Sequence, residues 1–278
     1  MESLEQVHRQ LSGLEDLRDI VKTMKALSAA SIRQYEHAAE ALADYYRTVE
    51  LGLHAALRGA GIAAVAELAR RGDAASPGLI VFGSDHGLCG RFNEDVVDRA
   101  LEEVRKLGAR PQQCRVLAIG ARAAGGLESE GLMVEEDLIV PGSAARITAT
   151  VQQLLVKLDE WREQGGVLPV TLVYNHPLRR NTSYRPVSVE LLPINLHRFK
   201  HLEEEPWPSR GIPGFTMSRS ALLTRLLRQY FFVVIARACA DSQAAEHGSR
   251  LAAMQAAEKS LADRLDEVTM QYRRARQT

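Results

Sequence analysis

The residues best suited to chemistry lie in one short stretch, GSDHGLCGRFN (83–93), directly after an apolar run. A glycine-rich loop between a strand and a helix can cradle phosphate through backbone N–H groups at the helix N-terminus. Here the glycines stand at 83, 87 and 90, which is not Gly-x-Gly-x-x-Gly, and the Gly-Lys-Ser/Thr of a nucleotide-cleaving loop is absent. A structural turn, with glycines serving positive φ, therefore outweighs a phosphate site. Asp85, His86 and Cys89 include the types of a nucleophile and its base, but within one short loop they point in different directions. No pattern places a further acid, Asn or His beside them, so a buried or loop thiol is the simpler reading. His176 in YNHP and His197 before Arg198 are single histidines next to turn formers, without metal-ligand spacing to a second His.

Two groups of cations also stand out: Lys22 and Lys25 in the first helical stretch, and Arg273, Arg274 and Arg276 near the chain's end. A solvated helical face, with cations complementing a C-terminal dipole, accounts for most of this. The competing reading is a basic collar that meets acidic loops on a surrounding partner.

The elements that must position these residues fall into three parts. From Leu4, apolar residues recur as Leu4, Val7, Leu11, Leu14, Leu17, Val21, Met24, Leu27 and Ile32, one stripe on a helix of residues 3–58. Such a helix would be roughly 80 Å long, far beyond what a compact domain needs. Gly13 and Gly52 interrupt it at about 1 kcal/mol each relative to Ala. A second stripe, Leu251, Met254, Leu261, Leu265, Val268 and Tyr272, with Glu258 on the seam, belongs to a helix starting near the N-cap Ser218. That helix is rich in large apolar residues as far as Ala240, and from Gln243 onward reads as Ala-rich and one-faced. Two stripes, each long and one face wide, are most simply satisfied by packing on each other. The Leu14 to Leu17 step breaks a strict heptad, which predicts modest supercoil distortion.

Between the stripes the pattern changes to short runs: GLIVFGS (78–84), CRVLAIG (114–120), LPVTLVYNH (168–176) and RPVSVELLPI (185–194). The first three are nearly continuous apolar runs, as in parallel strands buried on both faces; the last alternates and fits an antiparallel edge. Helical stretches near 93–107 and 143–164, with Asn93 and Ser143 as caps, separate them. The predicted fold class is α/β: a long antiparallel two-helix coiled coil formed by both termini, around a central Rossmann-like, mostly parallel sheet. The expected domains are 1–58, 76–200 and 217–278, with HLEEEPWPSRGIPG (201–214) as the clearest linker.

Composition narrows the function. Of 278 residues, 46% are apolar and 25% charged, and Lys plus Arg equals Asp plus Glu at 35 each, so no net field attracts nucleic acid or anionic lipid. Three widely spaced cysteines, Cys89, Cys114 and Cys239, without a Cys-x-x-Cys pair, fit a reducing compartment. YFFVVIARACA (230–240) falls short of the ~20 apolar residues of a membrane helix. Any membrane association is expected through a partner.

Three segments together, RDIVKTMKALSAASIR (18–33), FGSDHGLCGRFN (82–93) and SRLAAMQAAEKSLADRLDEVTMQYRRARQ (249–277), resemble the gamma subunit of F-type ATP synthases in order and spacing. The resemblance covers nearly the whole chain and is weakest in the middle. It implies a non-catalytic rotor without cofactor, whose paired termini sit inside the ring of alpha and beta subunits and whose middle domain binds epsilon and the c-ring. Such a rotor couples ion flow through the c-ring to ATP synthesis or hydrolysis, as a peripheral protein on the cytoplasmic face of the bacterial inner membrane. Carried onto this sequence, Lys22, Met24, Arg250, Arg276 and Gln277 become contacts to the alpha/beta hexamer. Gly87, Leu88, Cys89, Gly90, Arg91 and Asn93 become contacts to epsilon and the c-ring at the base of the shaft.

The chain departs from the family pattern in two ways. Arg91 and Phe92 stand where the family usually has Gly and Leu, and PWPSRGIPGFTMS (206–218) replaces a Tyr-rich segment. These changes imply reorganised epsilon and c-ring contacts, as in a divergent or secondary F-type ATPase, a Na⁺-pumping one included. The family's last helix also continues past Ala-Arg-Gln, so the expectation at Thr278 is a shaft without its tip. The rival expectations are an α/β enzyme using the 83–90 loop for a phosphorylated ligand, and a cytosolic coiled-coil adaptor.

Overall fold

The computed structural model describes residues 4–57, 76–164, 169–178, 182–194, 207, 211 and 214–277. His197, Thr278 and most of the 201–214 linker lie outside them. Helix α1 runs Leu4–Leu57 and helix α5 runs Arg219–Gln277, about 80 and about 90 Å of helix. Their partners descend along α5 as they ascend along α1: His8 with Tyr272, Lys25 with Glu258, Tyr35 with His247, Tyr46 with Tyr230. The pair is antiparallel. Ser218 caps α5 as expected, accepting from Ala221 N at 3.4 Å through Oγ and from Leu222 N at 3.0 Å through its carbonyl.

The seam is narrower than the stripes that predicted it. Val7 and Val21 are buried, and Leu11, Leu14, Met24 and Ile32 are half-covered, whereas Leu17 and Leu27 stay 51% and 63% exposed. Two helices in contact cover only the knob positions between them, and residues flanking that line remain in water. On α5 the predicted seam is better covered, with Met254 and Val268 buried and Leu251, Leu261, Leu265 and Tyr272 half-buried. Glu258 meets Lys25 across it at 2.5 Å.

Between the long helices lie β1 (Gly78–Phe82), α2 (Phe92–Lys106), β2 (Arg115–Ile119), α3 (Ala121–Ser129), β3 (Met133–Leu138), α4 (Ile147–Glu163), β4 (Val170–Pro177) and β5 (Tyr184–Leu192). The sheet order is β3-β2-β1-β4-β5, parallel except for the antiparallel edge strand β5. Successive strand residues face opposite sides. Leu79, Val81, Val116, Ala118 and Val173 pack under α2 and α3, while Ile80, Phe82, Leu117, Ile119 and Leu172 pack against α4 and α5.

Three expectations need correction. Strand β3 and helix α3 were not predicted: β3 is an edge strand bearing Glu135, Glu136 and Asp137, and α3 carries a Gly-Gly pair that lowers helix propensity. Asn93 is not a cap, because it lies inside α2 and turns its amide to Ser84; Ser143 caps only a 3₁₀ turn at Ala144–Arg146, with no side-chain bond. Finally, α5 is not one-faced from Gln243. It is buried almost all round until Arg250, because the α/β domain closes on one side of it and α1 on the other.

Candidate functional site

From β1 the chain builds β2 on one side and later β4 on the other. In open α/β sheets that reversal leaves a crevice outside the strand carboxyl ends, where ligands commonly sit. Here the 83–93 loop rims the crevice and the chain's own helix α5 fills it. Ser242 Oγ lies 3.5 Å from Phe82 O at the end of β1, and Ser249 Oγ donates to Cys89 O at 2.5 Å. Ala245 packs with the buried Cys89 and Phe92, and the Phe92 ring meets Tyr184 edge-on at 5.5 Å.

The loop owes its shape to internal bonds. Ser84 N donates to Asn93 Oδ1 at 3.0 Å, Asn93 Nδ2 to Ser84 Oγ at 2.8 Å, and Ser84 Oγ to His86 O at 2.8 Å. Leu88 (φ 63°) and Gly90 (φ 59°) both take the left-handed conformation. Glycine removes that cost at 90; at 88 a leucine bears it, with its side chain 63% exposed. Gly120 (φ 109°) is required for space as well, since a Cβ there would stand 2.6 Å from Ser84 N.

None of the three chemical candidates in the loop is arranged for catalysis. Asp85 accepts from Ala121 N at 3.1 Å and Val140 N at 2.9 Å, which ties three loops together. His86 contributes its carbonyl. The Cys89 thiol faces Ser84 Oγ and Asn93 Nδ2, both 3.7 Å away, and burial pushes its pKa up, the wrong direction for a nucleophile. Among the described residues no cluster of His, Cys, Asp and Glu has the makings of a metal site.

One ion pair lies inside the filled crevice. Arg250 donates to Glu246 at 2.6 Å, one helical turn away, and the two side chains are 9% and 6% exposed. The same guanidinium reaches His86 O at 3.3 Å and Gly87 O at 3.4 Å. Burial pushes the Glu246 carboxyl above its ordinary value against the pull of Arg250 and of Gln243. Beside it His247 stacks on Tyr35 at 5.7 Å; burial first, and Arg250 second, lower its pKa to about 4, so it is neutral at pH 7. On the hairpin side, His176 Nδ1 lies 3.1 Å from Asp241 Oδ2, and Thr182 O approaches Gly248.

Arg250 is thus brought against the loop at the carbonyls of His86 and Gly87, and its neighbour Ser249 at Cys89, although the sequence reading gave Arg250 and the loop different partners; Leu88, Gly90 and Arg91 are exposed and Asn93 braces Ser84. Lys22, Arg276 and Gln277 are exposed on the shaft and Met24 is half-buried there. Arg276 lies 26 residues beyond Arg250, about 40 Å along the helix. Glu246, Ser249 and the Asp241–His176 pair went unnoticed in the sequence. Their signal was polar residues spaced through an Ala-rich helical run, with Glu and Arg four apart.

The family described as ATP synthase matches residues 3–278. The ATP synthase gamma chain of Pelotomaculum thermopropionicum is 28% identical over 277 residues, covering 100% of this chain and 94% of that one. This chain belongs to the ATP synthase gamma-chain family. The gamma chain of an Anaeromyxobacter species is 29% identical over 284 residues, with the same coverage. In fold the chain is similar to the rotor of Euglena gracilis mitochondrial ATP synthase, with a TM-score of 0.66 at 16% identity, over 99% of this chain and 97% of that one. It is also similar to a chain of the Tetrahymena thermophila central stalk and c-ring, with a TM-score of 0.55 at 22% identity, over 86% and 99%. The chain is thus a non-catalytic subunit, and its helix α5 lies at the carboxyl end of β1. No described helix is long and apolar enough to cross a membrane.

Proposed function

We propose that this gamma chain is the central rotor of an F-type ATP synthase, coupling ion flow through a c-ring to ATP synthesis or hydrolysis in an alpha/beta hexamer. The observation that carries this reading is the paired shaft of about 80–90 Å, whose one helix also passes through the core of the α/β domain. Three parts divide the work: 1–58 and 217–278 form the shaft, and 76–200 forms the domain that meets epsilon and the c-ring. The complex sits peripherally on the cytoplasmic face of the bacterial inner membrane. Along the shaft, exposed Lys22, Arg276 and Gln277 and half-covered Met24 face the hexamer. At the base, the loop presents Leu88, Gly90 and Arg91 to epsilon and the c-ring, while Gly87, Cys89 and Asn93 fix its shape. Arg250 acts through the loop carbonyls that it holds.

Co-expression with alpha and beta subunits tests this. A stable complex whose ATPase activity depends on the chain is expected; failure to co-assemble, or activity indifferent to the chain, would refute it. The rival enzyme reading predicts that nucleotide stabilises the isolated chain, by about 2.7 kcal/mol at a hundredfold excess over Kd. With Glu246 and the backbone of α5 in the crevice, we expect no rise in Tm.

A further inference from the structure

The domain grips the two shaft helices by different means. Around α5 the grip is an apolar contact with the sheet, through Ile235, Ala236, Cys239, Ala240 and Ala244, to which a set of polar ties and one close backbone approach are added within Asp241–Arg250, about three helical turns. Ser242 and Ser249 reach the β1 side, at Phe82 O and Cys89 O, while Asp241 reaches His176 on β4. On the hairpin side Thr182 O comes so near Gly248 that a Cβ would stand 3.2 Å from it. These ties lie on one face of the helix, within an arc of about 120° turned toward the domain, and point across its axis. Around α1, among the described residues, Tyr35 Oη donates to Pro141 O at 2.7 Å, with the half-buried Ala38, Ala39 and Leu42 in apolar contact. Hydrophobic burial has no preferred direction, so an apolar contact resists separation better than sliding. Hydrogen bonds need both distance and angle, so a row of them along one face resists sliding of the domain around the helix.

We propose that torque passes between the α/β domain and the shaft through α5, at the segment Asp241–Ser249, and that α1 follows as a helix carried by the seam. The proposal rests on the rotor reading above. Turning the domain about the shaft axis strains the Ser242, Ser249 and Asp241 ties and leaves the α1 contacts free to slide. The interdigitated seam, with Tyr45 Oη donating to Gln229 and Arg219 to Ala56 O, then carries the motion from α5 to α1.

The test uses the assembled complex in phospholipid vesicles, with ATP hydrolysis read as phosphate release and pumping read with a voltage-sensitive dye, so that the ion need not be known. Ser249→Ala combined with His176→Ala should leave hydrolysis close to wild type and lower the potential generated per ATP by about fivefold or more. Tyr35→Phe, which removes the α1 bond, should lower neither. Thr182→Cys with Gly248→Cys, added to the weakened variant and oxidised with diamide, should restore pumping until a reductant is added. An unchanged ratio in the first variant, an equal loss in Tyr35→Phe, or no rescue by the bridge overturns the proposal while the rotor reading stands. A wild-type complex that hydrolyses ATP without pumping sinks the rotor reading and the proposal with it.

Discussion

Replacing Arg250 with Met removes one partner from the ion pair at the centre of the shaft joint and leaves Glu246 behind. The Glu246 carboxyl would retain only Gln243 Nε2, at 3.1 Å. Breaking a buried pair from one side costs about 3–5 kcal/mol at a pH where the remaining group is charged. Burial already holds the Glu246 pKa above its ordinary value of 4.5, and without Arg250 it rises further. An acid whose folded pKa is raised binds its proton more tightly when folded. Its contribution to stability is full below the unfolded pKa and is lost as pH rises through the folded one. Arg250→Met should therefore lie nearest to wild type at about pH 4–5 and fall increasingly below it toward pH 8. Urea unfolding followed by tryptophan fluorescence, with Trp161 buried in the domain, measures the difference from wild type at each pH. Adding Glu246→Met should recover much of the loss at pH 8, because a matched apolar pair leaves no charge stranded. The reasoning fails if the loss is equal at pH 5 and pH 8, or if the double variant is no better than the single one.

Gly120→Ala places a Cβ 2.6 Å from the Ser84 backbone at a φ of 109°, and should cost about 3 kcal/mol, or about 6–12 °C in a thermal melt. Lys25→Ala and Glu258→Ala should each matter little, because both side chains are a third or more exposed; a double-mutant cycle should return about 0.2–1 kcal/mol and shrink with added salt. Cys89, Cys114 and Cys239 are all buried, and burial pushes Cys239 up to about 12. A thiol reagent at pH 8 should label none of them until denaturant is added, and labelling of Cys89 in the folded chain would contradict the packed loop.

Strands β1, β2 and β4 were legible because a strand buried on both faces reads as an unbroken apolar run. Strand β3 was not: at the sheet edge it can carry three acids in a row, and a period-2 signal over six residues is weak beside those charges. The shaft stripes were legible, but how much of each would be covered was not, since Leu17 and Leu27 satisfy the helical period and yet face water. In the candidate site, the loop was recognisable as a turn from its glycines. That Asn93 would brace Ser84 instead of capping a helix depended on where α2 begins.

By itself the sequence determined two long one-striped helices, a sheet of parallel type between them, and the motifs of the gamma-chain family. Each of those signals is local: helix and strand periods follow from backbone geometry over a few residues. Only the tertiary structure decided that α5 occupies the crevice where such a sheet usually holds a ligand. Ser249 and Cys89 stand 160 positions apart, and no periodic pattern specifies which distant carbonyl a buried hydroxyl must find. The requirement that every buried polar group be paired forces such meetings, and packing chooses the partners.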